Sequence, residues 1–365
     1  MEKLVKIKVT KDGSGNVLGP NLTLEINKLL ELFPSYNQSN ELKQVTFAVL
    51  RNIVLFRKIF KFYCKVGSPK KFKYDEKTSS MTRFQLWRFL KDTKAHQQNG
   101  HNLANIDNVI SIVFEFKDIH NPTDKFEFSG FLKCCVALSY SLYKDCFLHS
   151  NYENNVLSKC LQRFLDDHLM NYSFVICGQF LNDNKKATKA LMYMEKSWRV
   201  YQYLCLNYSN KKLPKMRQFL FMLRDFEILS KHLSIKTTLK ILAFDDPLVS
   251  SNNDDNFNMD LEMTFLEFFE ALIGCALCYG FDNVKLMHPS KNYKESSDIS
   301  QELNGSNFFN YNKTNNLNDF NVWGKQIQNF FTKILFPNWR IHQKLTRAAY
   351  LGRSASSTTV AVHSL

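Results

Sequence analysis

Between Asp254 and Phe265 the chain reads DDNFNMDLEMTF, with side-chain oxygens at Asp254, Asn256 and Asn258. Oxygens at alternate positions suit a hard cation such as calcium when a twelve-residue loop also supplies a glycine at its sixth position and a bidentate glutamate at its last. Leu261 fills the hydrophobic eighth position, but Met259 stands sixth and Phe265 last. The turn residue is missing and two ligand bonds go with the lost carboxylate. The matching window in the first half, HNPTDKFEFSGF at 120–131, puts Pro122 at a ligand position and Phe131 at the end. The expectation is therefore no metal ligands and no cofactor.

The remaining reactive side chains read as structure. Cys275 and Cys278 form a C-x-x-C inside an apolar run, with no second pair at zinc spacing, and Cys134 and Cys135 sit in a similar run. A thiol in that setting packs as a small hydrophobe. Cys146 and His149, three apart, could align a thiolate and a base on a helix, but no histidine stands in a known nucleophile pattern. Asp166/Asp167 and Asp245/Asp246 read as helix-end or loop carboxylates. GSGNVLG at 13–19 has the wrong spacing for a dinucleotide loop and reads as a surface turn. No catalytic residue is assigned, and the chain is expected not to be an enzyme.

The elements that position these residues follow from periodicity. Residues 1–23 alternate through VKIKV into a Gly-rich turn, which predicts a short β-hairpin or extended segment. Apolar residues at spacings of three and four predict a long helix from Glu41 to Val66, a second over TRFQLWRFLKD with Thr82 as its N-cap, a third from about Leu103 to Phe116, and a fourth over FSGFLKCCVALSYSLYKDCF. The second half repeats the order: a helix from Ala187 to Leu206, then MRQFLFMLRDFEIL, SIKTTLKILAF and LEMTFLEFFEALIGCALCYG. FLKCCVAL at 131–138 and FLEFFEAL at 265–272 are the clearest signs of duplication. Helix, loop, helix, helix, loop, helix is the order of an EF-hand pair. The fold class is thus mainly α, with two degenerate EF-hand-like four-helix units and a short β/turn N-terminus. The first unit spans 24–150 and the second 187–282. Residues 151–186 are a connecting helix and loop, 283–318 a disordered linker, 319–350 a terminal amphipathic helix that either packs on the second unit or binds a partner, and 351–365 a disordered tail.

A chain of 365 residues, 44% of them hydrophobic, can bury one or two cores. No run approaches the ~20 apolar residues of a membrane span. The opening MEKLVKIKVTKDG lacks the apolar stretch of an export signal, so the nine cysteines are expected to be thiols in a reducing cytoplasm. A net charge of +14 favours an acidic partner.

The strings MTRFQLWRFLKDTKAH, LANID, FLKCCVALSYSLY, KMRQFLFMLRDFEILSKHLS, FLEFFEALIGCAL and NVWGKQIQNFF occur in that order. Together they resemble the C-terminal helical half of the radial spoke head protein 10 homolog B family. That resemblance implies a non-enzymatic structural component of the axoneme of motile cilia and flagella, in the cytoskeleton, acting by protein–protein interaction. It implies other radial spoke or axonemal proteins as partners, with tubulin a candidate; the residues themselves show no nucleic-acid recognition motif and no membrane span, so neither nucleic acid nor a membrane is expected. Family members carry MORN repeats ahead of this region; this sequence has no such array, so the functions of the repeats do not transfer. The alternative reading, from the helix order, is a calcium-responsive regulator with degenerate EF-hands.

Overall fold

A computed structural model describes residues 26–68, 79–114, 120–147, 154–209, 212–231, 233–244, 246, 248–250, 257–279 and 317–362. The segment read as a hairpin at 1–23 and nearly all of the linker read at 283–318 lie outside them. Among the described residues the chain is mainly helical with one two-stranded sheet. It forms two compact units, Met1–Ile176 and Cys177–Leu365, so the boundary falls within the stretch read as a connector.

In the first unit, α1 (Ser35–Arg51) follows Pro34. The helix expected from Glu41 to Val66 breaks at Asn52, whose side-chain amide donates to the Ala48 carbonyl at 3.0 Å. Its backbone leaves the helical region at φ −107, and α2 (Ile53–Tyr63) starts afresh. Then come α3 (Arg83–Asp92), α4 (Leu103–Phe114) and α5 (Phe128–Phe147). Strands β1 (Met81–Thr82) and β2 (Lys125–Phe126) pair antiparallel, Met81 opposite Phe126, and tie the loop before α3 to the loop before α5. Rings spaced three or four apart meet on one face of each helix. Phe60 lies 5.4 Å from Phe128 and 5.6 Å from Phe131, and Phe89 lies 5.3 Å from Phe131. Helix α6 (Val156–Phe164) runs through a π-helical turn, Leu165–Leu169, into Met170–Tyr172, and packs on α5 and α1. The first N–H groups of a helix have no intrahelical acceptor. Here the buried Glu41 carboxylate accepts from the backbone N–H of Val156 and of Leu157, each at 3.0 Å, so α1 caps α6.

In the second unit the expected helix from Ala187 to Leu206 is likewise broken, into α7 (Asn184–Leu191) and α8 (Met194–Tyr208). After α9 (Met216–Asp225), α10 (Ile235–Ala243) and α11 (Phe265–Tyr279), an antiparallel bridge joins Lys215 to Glu262. Helix α12 (Leu317–Asn329) passes through a π-helical turn, Phe330–Leu335, into α13 (Phe336–Val362). Ile327, Phe331 and Leu335 are fully buried, and the Phe331 ring stacks on Tyr193 at 4.8 Å. The terminal helix therefore packs back on its own unit. It also runs to Val362, across most of the stretch 351–365 expected to be disordered.

The internal repeat is larger and differently aligned than the strings suggest. In each unit the first of the four helices is broken (α1–α2, α7–α8), and a trailing helix with a π-helical turn (α6, α12) is added and docked on the fourth. Helices α3 and α9 end alike, with Lys94 and Glu227 two residues past Asp92 and Asp225, both left-handed at φ 56 and φ 55. Phe128 and Phe265 both open the fourth helix. Phe131 therefore corresponds to Phe268, and the two strings are offset by three residues, about one helical turn.

Candidate functional site

The paired loops are where helix ends, short bridges and charged side chains converge. In the first unit Thr82 caps α3, and its own N–H donates to Gln85 Oε1 at 2.9 Å. The Gln85 amide then donates to the carbonyls of Cys64, 3.2 Å, and Val66, 2.8 Å, beyond the end of α2. A neutral N–H₂ group thus joins the two flanking helices. In the second unit Lys215 N–H donates to Gln218 Oε1 at 2.7 Å, and the Gln218 amide donates to the Tyr208 carbonyl at the end of α8. The same amide device recurs at the same position of α3 and α9.

Each pair of loops also carries its own cation. Arg83, fully buried, donates from Nε to Asp107 Oδ1 at 2.9 Å and lies 3.3 Å from Asp124 Oδ2. His120 Nδ1 contacts the other oxygen of Asp107, and His120 Nε2 lies 3.2 Å from Ser111 Oγ. Asp107, His120 and Ser111 thus have the connectivity of a nucleophile triad. The hydroxyl is engaged differently. Ser111 Oγ donates to the Asp107 carbonyl at 2.8 Å and accepts from Arg83. Its proton is committed to the helix backbone and its lone pair to a guanidinium, so the cluster is a structural ion-pair network. In the second unit Asp260 pairs with Lys215 at 3.0 Å and with Arg217. The hydrogen bond from Lys215, with the charge of Arg217 beside it, holds the Asp260 carboxyl below the usual carboxylate range.

The second-unit loop corrects the register of the sequence window. Thr264, not an earlier residue, stands before α11: Glu267 Oε2 accepts from the Thr264 N–H at 2.7 Å and from its hydroxyl at 2.9 Å. Counting back from that cap, the calcium-loop pattern starts at Asn256 rather than Asp254. Asn258, Asp260, Thr264 and Glu267 then fall at positions three, five, nine and twelve, Met263 takes the hydrophobic eighth, and Leu261 replaces the glycine. Asn256 and Asp254 lie outside the described residues. The carboxylate missing from the first window is therefore present two residues on, engaged with the helix cap, while Asp260 is engaged with the sister loop. Among the described residues no three His, Cys, Asp or Glu side chains are grouped to hold a metal. Phe265 and Phe131 are core residues of their units.

Most of the other singled-out residues fall in packing positions or outside the described residues. Cys134, Cys135, Cys275 and Cys278 are buried, and burial pushes the Cys278 thiol up to about 12. Cys146 is exposed, while His149 lies outside the described residues, as do GSGNVLG and Asp245. Asp167 accepts from the Tyr143 hydroxyl at 2.9 Å, and Asp246 accepts from the Leu248 N–H at 2.9 Å. A cavity of about 350 Å³ in the first unit is lined by Ile26, Leu29, Val113, Phe114, Lys133 and Ala137 among others, and its lining among the described residues holds no carboxylate, histidine or thiol. No described helix is long and apolar enough to cross a membrane. No protein-family model matches the chain, and no solved structure matches it.

Proposed function

We propose that this chain is a non-enzymatic scaffold built from two EF-hand-like helical pairs that close without calcium and act through protein–protein contact. The observation that carries this reading is the way both loop pairs are held. Arg83 in one, and Lys215 with Arg217 in the other, supply positive charge to the loop carboxylates Asp124 and Asp260, and Gln85 and Gln218 stitch the flanking helices. A bound cation would do both jobs in a calcium-binding pair. Each unit also covers the apolar face of its fourth helix with a trailing helix of its own, where a calcium sensor exposes a groove. The colinear strings quoted above support a setting in the axoneme of motile cilia or flagella, as part of or associated with radial spokes, among other axonemal proteins. A net charge of +14 suits an assembly with acidic neighbours such as tubulin. A tagged copy expressed in a ciliated cell is expected along the axoneme; diffuse cytosolic signal beside normal cilia would defeat the assignment.

One observation favours a second reading, a calcium-responsive regulator: Asn258, Asp260, Thr264 and Glu267 keep the spacing of a calcium loop once counted from Asn256. On that reading calcium would draw Asp260 away from Lys215 and Arg217. Isothermal calorimetry separates the two, since heat with a hyperbolic calcium dependence supports the regulator and its absence supports the scaffold.

A further inference from the structure

The trailing helix of the second unit does not stop where its docking ends. Its inner part is held by Ile327, Phe331 and Leu335, all fully buried. The last anchors are Asn338, whose amide donates to the Phe226 carbonyl at 2.8 Å, and His342, whose ring lies 5.2 Å from Phe226 and 6.0 Å from Tyr203. Beyond them the apolar stripe continues into solvent. At about 100° per residue Leu345 falls in line with Asn338, and Ile341 and Ala348 flank it. Ile341 is 57% exposed and Leu345 64% exposed, a pair spaced to project from one face. Arg340, Lys344 and Arg347 form a second stripe beside them, all exposed. From Phe320 to Leu365 there are six Lys and Arg residues and no Asp or Glu.

We propose that residues 337–349 are a preorganised docking helix for a partner protein that offers an apolar groove rimmed by carboxylates. Three features select that occupant. A helix already ordered and clamped at its base does not have to be ordered on binding. The unbroken positive flank opposes pairing with a second copy, whose helix would carry the same charges. The exposed apolar residues form a narrow stripe, and Trp339 turns toward Tyr203 in the body of the unit, 6.4 Å between ring centres. A helix lying on a membrane presents a wider apolar face with its aromatics outward.

Calcium-loaded calmodulin is a suitable probe, being acidic with a Met-rich helix-binding groove. The full chain is expected to bind it, measured by fluorescence anisotropy, and the double variant Ile341→Asp/Leu345→Asp to bind about tenfold or more weakly. The triple variant Arg340→Gln/Lys344→Gln/Arg347→Gln is expected to bind more weakly with a shallower salt dependence. These side chains are exposed, and unchanged thermal unfolding confirms that the variants are folded. Failure of the full chain to bind, equal binding by all three proteins, or tighter binding of phosphatidylserine vesicles or a short DNA duplex than of calmodulin would overturn the proposal.

Discussion

Arg83 shows how much one side chain can organise. Its guanidinium meets Asp107, which is fully buried with it, and also Asp124 and Ser111, so three segments of the first unit converge on one cation. Taking two charges out of water is costly, and removing one partner leaves the other buried and uncompensated. Arg83→Leu is therefore expected to destabilise the first unit by about 3 kcal/mol or more in urea unfolding. The Arg83→Leu/Asp107→Leu double variant should recover part of that loss, because the charge orphaned in the single variant is gone. None of this was legible in the sequence. The partners of Arg83 lie 24 and 41 residues away, and a charge in an amphipathic helix reads as surface. Thr82 was legible, because T-x-x-Q ahead of an apolar run is a local signal whose hydrogen bonds close within one turn. The calcium window was misread by two residues for a related reason: alternate oxygens can be counted from Asp254 or Asn256, and only the cap at Thr264 decides.

Elements are fixed by such contacts as much as by their own periodicity. The limits of α5 could be read directly from FSGFLKCCVALSYSLYKDCF, whose apolar positions keep one helical phase, whereas the breaks at Asn52 and between Leu191 and Met194 could not, since apolar spacing runs through both. Helix α11 approaches α10 so closely that a Cβ on Gly274 would lie 2.6 Å from the Ile241 side chain. Gly274→Ala is expected to cost about 1–3 kcal/mol by overpacking, despite alanine's better helix propensity, as read from thermal unfolding of the full chain. In the first unit α6 is locked by His168, whose Nδ1 lies 2.9 Å from the Thr93 carbonyl and whose Nε2 lies 2.9 Å from the Tyr143 hydroxyl. Burial lowers its proton affinity below the ordinary 6.5, although the Thr93 carbonyl and Asp167 favour the charged form. The unfolded chain therefore takes up this proton first as pH falls. Its contribution is fully present above about pH 6.5 and declines as pH drops through that value toward the lower folded one. The wild type should lose stability between about pH 7 and pH 5.5 more steeply than His168→Gln, as followed by thermal unfolding across that range.

The whole molecule is two units of one plan, each with paired loops and a trailing helix that covers its fourth helix. That plan was half legible. The order of helices and the duplication follow from recurring apolar spacing, but the trailing helices looked like a connector and a terminal appendage. One follows its unit after eight residues, 148–155, and the other after thirty-seven, 280–316, so nothing in their spacing marks them as equivalents. Their equivalence lies in packing and in the π-helical turn that each contains. The central claim is that these units are closed by their own amides and cations and have no need of a metal ion. Thermal unfolding of the full chain, followed by circular dichroism in chelator and in rising calcium chloride with magnesium as control, tests it most directly. The account predicts superimposable transitions in all three conditions. A midpoint that climbs with calcium alone, as mass action requires of an ion that binds the folded state, would contradict it.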